Sequence, residues 1–123
     1  MSRLTREFKS VQAAGPNTGS RVFICFEAMK MNFAGALRFG EIVYVASQDV
    51  NAASPSSVKR VSSEVKSVLR SFDPDEDYLV LVGSPILIAM CATEIMLTHR
   101  RMTVLQWDRQ DSVYVPVRLE SPA

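Results

Sequence analysis

Residues 77–101 read DYLVLVGSPILIAMCATEIMLTHRR, and the parsing of this stretch decides the fold. Tyr78 to Val82 has no polar alternation; a short unbroken apolar run closed by glycine is the pattern of a strand covered on both faces, so it is assigned to the interior of a sheet. Gly83 tolerates a tight turn and Ser84 is a preferred N-cap. Pro85 suits the first helical position, because the N–H it lacks would have no intrahelical partner there. The helix is predicted to run to about His99, where His99, Arg100 and Arg101 set positive charge at the negative end of its dipole. Within it only Thr93, Glu94 and Thr98 are polar, so nearly every side of this helix requires cover. A bilayer span needs about 20 apolar residues, and this run is shorter and is broken by Gly83-Ser84-Pro85, so no membrane association is expected.

Upstream, Ser54-Pro55 repeats the cap-then-proline start. Val58, Val61, Val65, Val68, Leu69 and Phe72 then recur at helical spacing, with Lys59, Arg60, Glu64, Lys66 and Arg70 off the stripe, which predicts an amphipathic helix. The acidic run Asp73 to Asp77 returns the chain to the central strand. Arg21 to Glu27 and Glu41 to Ser47 read as two further strands that are apolar on both faces. Between them, either Asn32 caps one short helical turn with Gly40 following it, or the stretch is a long loop or hairpin. Downstream, Met102 to Trp107 and Ser112 to Leu119 form a hairpin around a four-residue turn, with Pro116 marking the last strand as an edge. Residues 1–20 begin with helix-compatible Leu4, Phe8 and Val11 and pass into AAGPNTGS, the composition of a flexible arm ahead of a single domain over 21–120.

The element order β-β-α-β-α-β-β places the chain in the α/β class, with a small mixed sheet of about five strands. A parallel, Rossmann-like centre is expected from the strands around Ile42, Leu79 and Val104, with antiparallel additions that include the C-terminal hairpin. If those three strands lie side by side in chain order, both helices share one face and the other face needs cover. If the order reverses, the helices take opposite faces and leave a crevice at the switch point. Five largely apolar strands exceed what two helices can hide, which favours self-association.

At 123 residues, with 47% apolar and 22% charged residues, the chain fits one compact domain. A net charge of +1 gives no global field toward nucleic acid, membrane or acidic substrates. Arg3, Arg6 and Lys9 in the arm and the basic residues of the first helix allow nucleic-acid contact, but a solvated surface is the preferred reading. Cys25 and Cys91 each sit inside an apolar run with no CxxC spacing, as buried reduced thiols do in an intracellular protein, and the N-terminus has no signal-peptide core.

No catalytic residue, metal or cofactor is nominated. His99 is the one histidine, and neither a P-loop nor a GxGxxG fingerprint occurs. Ser84 and His99 stand at opposite ends of their helix, roughly 20 Å apart at 1.5 Å per residue, too far for proton transfer. Ligands of open α/β sheets bind beyond the carboxyl ends of the parallel strands, which makes Asp49, Gly83, Ser84, Asp108 and Arg109 the candidate ligand-binding residues. The amides after Ser84 suit a phosphate or carboxylate. The plainer alternative is that Ser84 caps its helix and that Asp108 and Asp111 shape a turn. Met90, Met96 and Trp107 are candidate interface residues; Met29, Met31 and Met102 belong to the same adaptable set, whose ordinary role is to fill core gaps.

Phe33, Ala36-Leu37, Gly40-Glu41-Ile42-Val43, Ser54-Pro55, Asp77-Tyr78-Leu79, Val82-Gly83, Pro85 and Leu87-Ile88 together form a recognisable line. With Val104-Leu105, Trp107-Asp108-Arg109-Gln110 and Tyr114-Val115-Pro116-Val117, it resembles a group of short α/β proteins encoded by tailed bacteriophages. The chain departs from that group at Ser84, where an acidic residue is the pattern, and at His99-Arg100-Arg101, which replaces an Asn-Gly turn. The resemblance implies a viral origin, with the infected host's cytoplasm as location, and supplies no catalytic residue. The expected function is that of a non-enzymatic phage accessory protein acting through self-association and through binding a host or viral protein. The alternatives are a nucleotide- or anion-binding module at the helix start after Gly83, and nucleic-acid binding through the basic arm.

Overall fold

The computed structural model describes residues 19–27 and 31–122. The arm expected over residues 1–20 lies outside them except for Gly19 and Ser20, as does Met29. Five strands, β1 (Arg21–Phe26), β2 (Glu41–Ala46), β3 (Tyr78–Val80), β4 (Arg101–Asp108) and β5 (Val113–Glu120), form one sheet in the order β2-β1-β3-β4-β5. Helix α1 (Pro55–Leu69) joins β2 to β3, and helix α2 (Pro85–His99) joins β3 to β4. The α/β class and the C-terminal hairpin are as expected. No helix among the described residues is long and apolar enough to cross a membrane.

The arrangement of the parallel centre differs from the sequence reading. It has four strands, because β1 is parallel to both β2 and β3 and separates them. The strands of Ile42 and Leu79 are therefore not neighbours, and β5 is the one antiparallel member. The cause is the connection from β1 to β2. At more than a dozen residues it is long enough for a crossover rather than a hairpin, and it carries a 3-10 helix (Ala34–Phe39) across the sheet. Asn32 Oδ1 accepts the Ala34 N–H at 2.8 Å at its start, and Gly40 ends it. Gly40 has no substitute there, since a Cβ would lie 2.5 Å from the Ser20 carbonyl oxygen.

Both α-helices share one face. Val61, Val65 and Leu69 of α1 and Leu87, Cys91 and Ile95 of α2 pack on Phe23, Cys25, Val45, Leu79, Met102 and Val104. Val22, Ile24, Val80, Leu105 and Tyr114 point the other way, toward Phe33 and Ala36 of the crossover. The opposite face thus takes its cover from the 3-10 helix. Period-2 alternation along each strand distributes the side chains, so even continuous apolar strands such as β1 feed two separate cores.

A polar network ties the amino ends of the strands together. Asp77, 1% exposed, accepts the Arg21 N–H at 2.9 Å, the Arg21 guanidinium at 3.0 Å and the Asp73 N–H at 2.8 Å. Burial pushes its carboxyl above the usual range, and these donors offset part of that. Nearby, Asp75 bridges Arg101 at 2.7 Å and Arg118 at 3.2 Å, and the two guanidiniums hold its carboxyl down to about 2.

Candidate functional site

The first candidate lies at the carboxyl ends of the parallel strands. The chain leaves β1 toward β2 on one side and returns past it to β3 on the other, so the crevice of the switch point opens between β1 and β3. Two of the sequence-nominated residues meet there. Asp49 Oδ1 accepts the Ser84 hydroxyl at 2.8 Å, and Asp49 Oδ2 accepts the Ser84 N–H at 3.2 Å. Ser84 Oγ in turn accepts the Leu87 N–H at 3.3 Å, the bond of an N-cap. Asp49 is held from both sides of its loop. Glu64 of α1 accepts the Ser47 N–H at 3.2 Å, and Ser57 Oγ accepts the Asn51 N–H at 3.1 Å.

Gly83 shapes the entry to α2. Its φ of 120° is one that L side chains rarely adopt, and a Cβ would lie 3.2 Å from Leu87 Cδ2 and 3.3 Å from Phe26 Cβ. Strand, turn and helix therefore close tightly on one another. The chemical consequence is that the positive end of α2 already holds a carboxylate of this chain. An incoming phosphate would meet Asp49 before it met the helix amides.

Asp108 and Arg109 are not part of this cluster. Asp108 Oδ1 accepts the Gln110 N–H at 3.0 Å, which shapes the turn between β4 and β5. Cys25 and Cys91 meet thiol to thiol in the helix-side core, and both are free. The hydrogen bond with Cys25, with burial, raises the Cys91 thiol above its usual range.

The second candidate is a surface. Val113, Val115, Val117 and Leu119 of β5 pair with Asp108, Gln106, Val104 and Met102, so they point to the helix side of the sheet. None of them belongs to the helix-side core, and all four are 37–39% exposed. On the outer face of α2, Ile86, Ala89, Thr93 and Leu97 form an exposed stripe at intervals of three and four that borders α1, with Lys66 and Glu94 close by; Ile86 is 43% and Leu97 78% exposed. Between α2 and α1 lies a groove of about 480 Å³, which Met90 and Leu97 line with Lys66 and Glu94.

The nominated interface residues divide between the two faces. Met90 and Met96 pack against the helix-side core. Trp107 lies on the other side, edge-on to Tyr114 at 4.9 Å and 66° and beside Gly35. Met102 is buried, and Met31 is exposed. The β5 row is not among those residues, and its signal in the sequence is the alternation Val113-x-Val115-x-Val117-x-Leu119.

The family model described as phage Pam3 gp32-like protein matches residues 20–121. No curated protein and no solved structure matches the chain.

Proposed function

Because the chain belongs to the phage Pam3 gp32-like protein family, we propose that it is an accessory protein of the virus which catalyses no reaction. It works in the host cytoplasm through self-association and by binding a host or viral protein. The observation that carries this reading is the bare apolar row Val113, Val115, Val117 and Leu119 on β5, with a second exposed stripe on α2, both among the described residues. The largest apolar patch on a protein surface is often functional, and it is there that interaction sites are found. The competing reading, an anion site at the start of α2, is weakened by Asp49, which supplies negative charge where the ligand's would go. Light scattering on the eluting protein across concentrations tests the proposal. A species heavier than one chain supports it, and a clean monomer at high concentration removes its basis. A thermal-shift screen with nucleotides and phosphorylated metabolites tests the competing site, for which no shift is expected.

A further inference from the structure

We infer that the occupant of the β5 row is α2 of a second copy of this chain, in a two-fold dimer that places the two α2 helices side by side between two sheets. The inference rests on the self-association reading above and specifies its geometry. Four strands of the sheet carry α1 or α2 above them on the helix side, and β5 carries neither among the described residues. The surface is consequently a step: α2 is the riser and β5 the bare tread. A step is complementary to itself under a two-fold axis running along the strands, because that rotation sets each riser on the other copy's tread.

The dimensions agree. From Ile86 to Leu97 the stripe on α2 is about 16 Å long at 1.5 Å per residue, and from Val113 to Leu119 the row on β5 is about 20 Å long at 3.4 Å per residue. The row on β5 carries no charge, and the stripe on α2 shares its groove to α1 with one acid and one base, Glu94 and Lys66, so the charges bordering the contact are of opposite sign. Ile88 and Ala92, half-buried on α2, lie away from the groove to α1, where the second α2 would run alongside. The exposed apolar side chains of row and stripe amount to roughly 500 Å² per subunit, or about 1,000 Å² for the pair, which reaches the size at which specific interfaces begin.

The other route to a dimer, extension of the sheet from edge to edge, is blunted by Pro116. This residue lies mid-strand in β5 opposite Leu105, and an edge proline turns its missing N–H outward. An added strand would find no donor there, so the face of β5 is available where its edge is not.

Sedimentation equilibrium on the full chain from about 1 to 500 µM, spanning the affinities that an interface of this size supports, reads the outcome. The wild-type protein should be a dimer. Val117→Glu and Leu97→Glu should each raise the dissociation constant by about 100-fold or more, because each buries an unpaired carboxylate. Far-UV circular dichroism confirms that the variants remain folded, and Val117→Thr serves as the milder variant if Val117→Glu does not. A dimer that persists in both glutamate variants overturns the step geometry and leaves self-association standing. A wild-type monomer throughout overturns both, whether a foreign protein or the chain's own first eighteen residues covers the row.

Discussion

β3 and β5 both present apolar side chains to the helix side of one sheet, and there they meet opposite conditions. Leu79 of β3 lies beneath α2 with no exposure, whereas Val115 and Val117 of β5 are each 39% exposed. Intrinsic preference does not explain this, since Tyr78 and Val80 of β3 and Val113, Val115 and Val117 of β5 are all of the branched and aromatic kinds that suit a pleated surface. What separates them is position: β3 is interior, flanked by β1 and β4, and β5 is the edge beyond the reach of either helix. An apolar side chain records that something should cover it. Whether the cover belongs to the same subunit is not written in that side chain.

The largest effect should come from the covered half. Leu79→Ala or Ile95→Ala leaves a cavity between sheet and α2, and denaturant titration should show a loss of about 2–5 kcal/mol. A loss under about 1 kcal/mol would mean that α2 seals this core loosely and would erase the contrast with β5. Next comes the turn that sets α2 down on β3. Gly83→Ala forces a Cβ into a conformation with φ of 120° and against Phe26, and should destabilise by about 1–3 kcal/mol in the same titration. Asp49→Ala should cost about 1 kcal/mol, because Ser84 keeps its own cap to Leu87 while its N–H loses the Asp49 acceptor.

Acid titration probes the polar side of the same contrast. The Asp75 carboxyl sits at about 2 in the folded chain against an ordinary 3.8, held down by Arg101 and Arg118. A lowered folded pKa gives stability that is present above the unfolded value and is lost as pH falls through the folded one. The Asp75 contribution should therefore disappear between about pH 4 and pH 2, and Asp75→Asn should flatten the stability profile over that window. The effect should be modest, since these are exposed pairs. Smallest of all on the isolated subunit should be Val117→Thr on the bare row, within about 0.5 kcal/mol when measured at dilution. A loss of core size there would show that β5 is covered after all.

Much of the architecture was legible in the chain. The start of α2 at Pro85, its end at His99, the amphipathic α1 and the hairpin with its edge proline all follow from caps, periodicity and turn residues that act within a few positions. The direction of β1 was not legible, because a continuously apolar strand carries no mark of which neighbour it pairs with or in which sense. The candidate ligand site was half legible. Position at the strand ends put Asp49 and Ser84 in one region, where they bond to each other, whereas Asp108 and Arg109 belong to a turn of their own. The alternation along β5 marks one apolar face but not whether anything covers it, because an exposed valine and a buried one read alike.

Local chemistry in the sequence determined which segments are helix, strand and turn, because capping, backbone restriction and hydrophobic period are settled among residues close in the chain. Tertiary structure decided the rest. It alone placed β1 between β2 and β3, set both helices on one face, turned Asp49 into the partner of Ser84 and left β5 bare on the helix side. Those outcomes depend on contacts between residues far apart in sequence, and burial is a property of the neighbours a side chain finds.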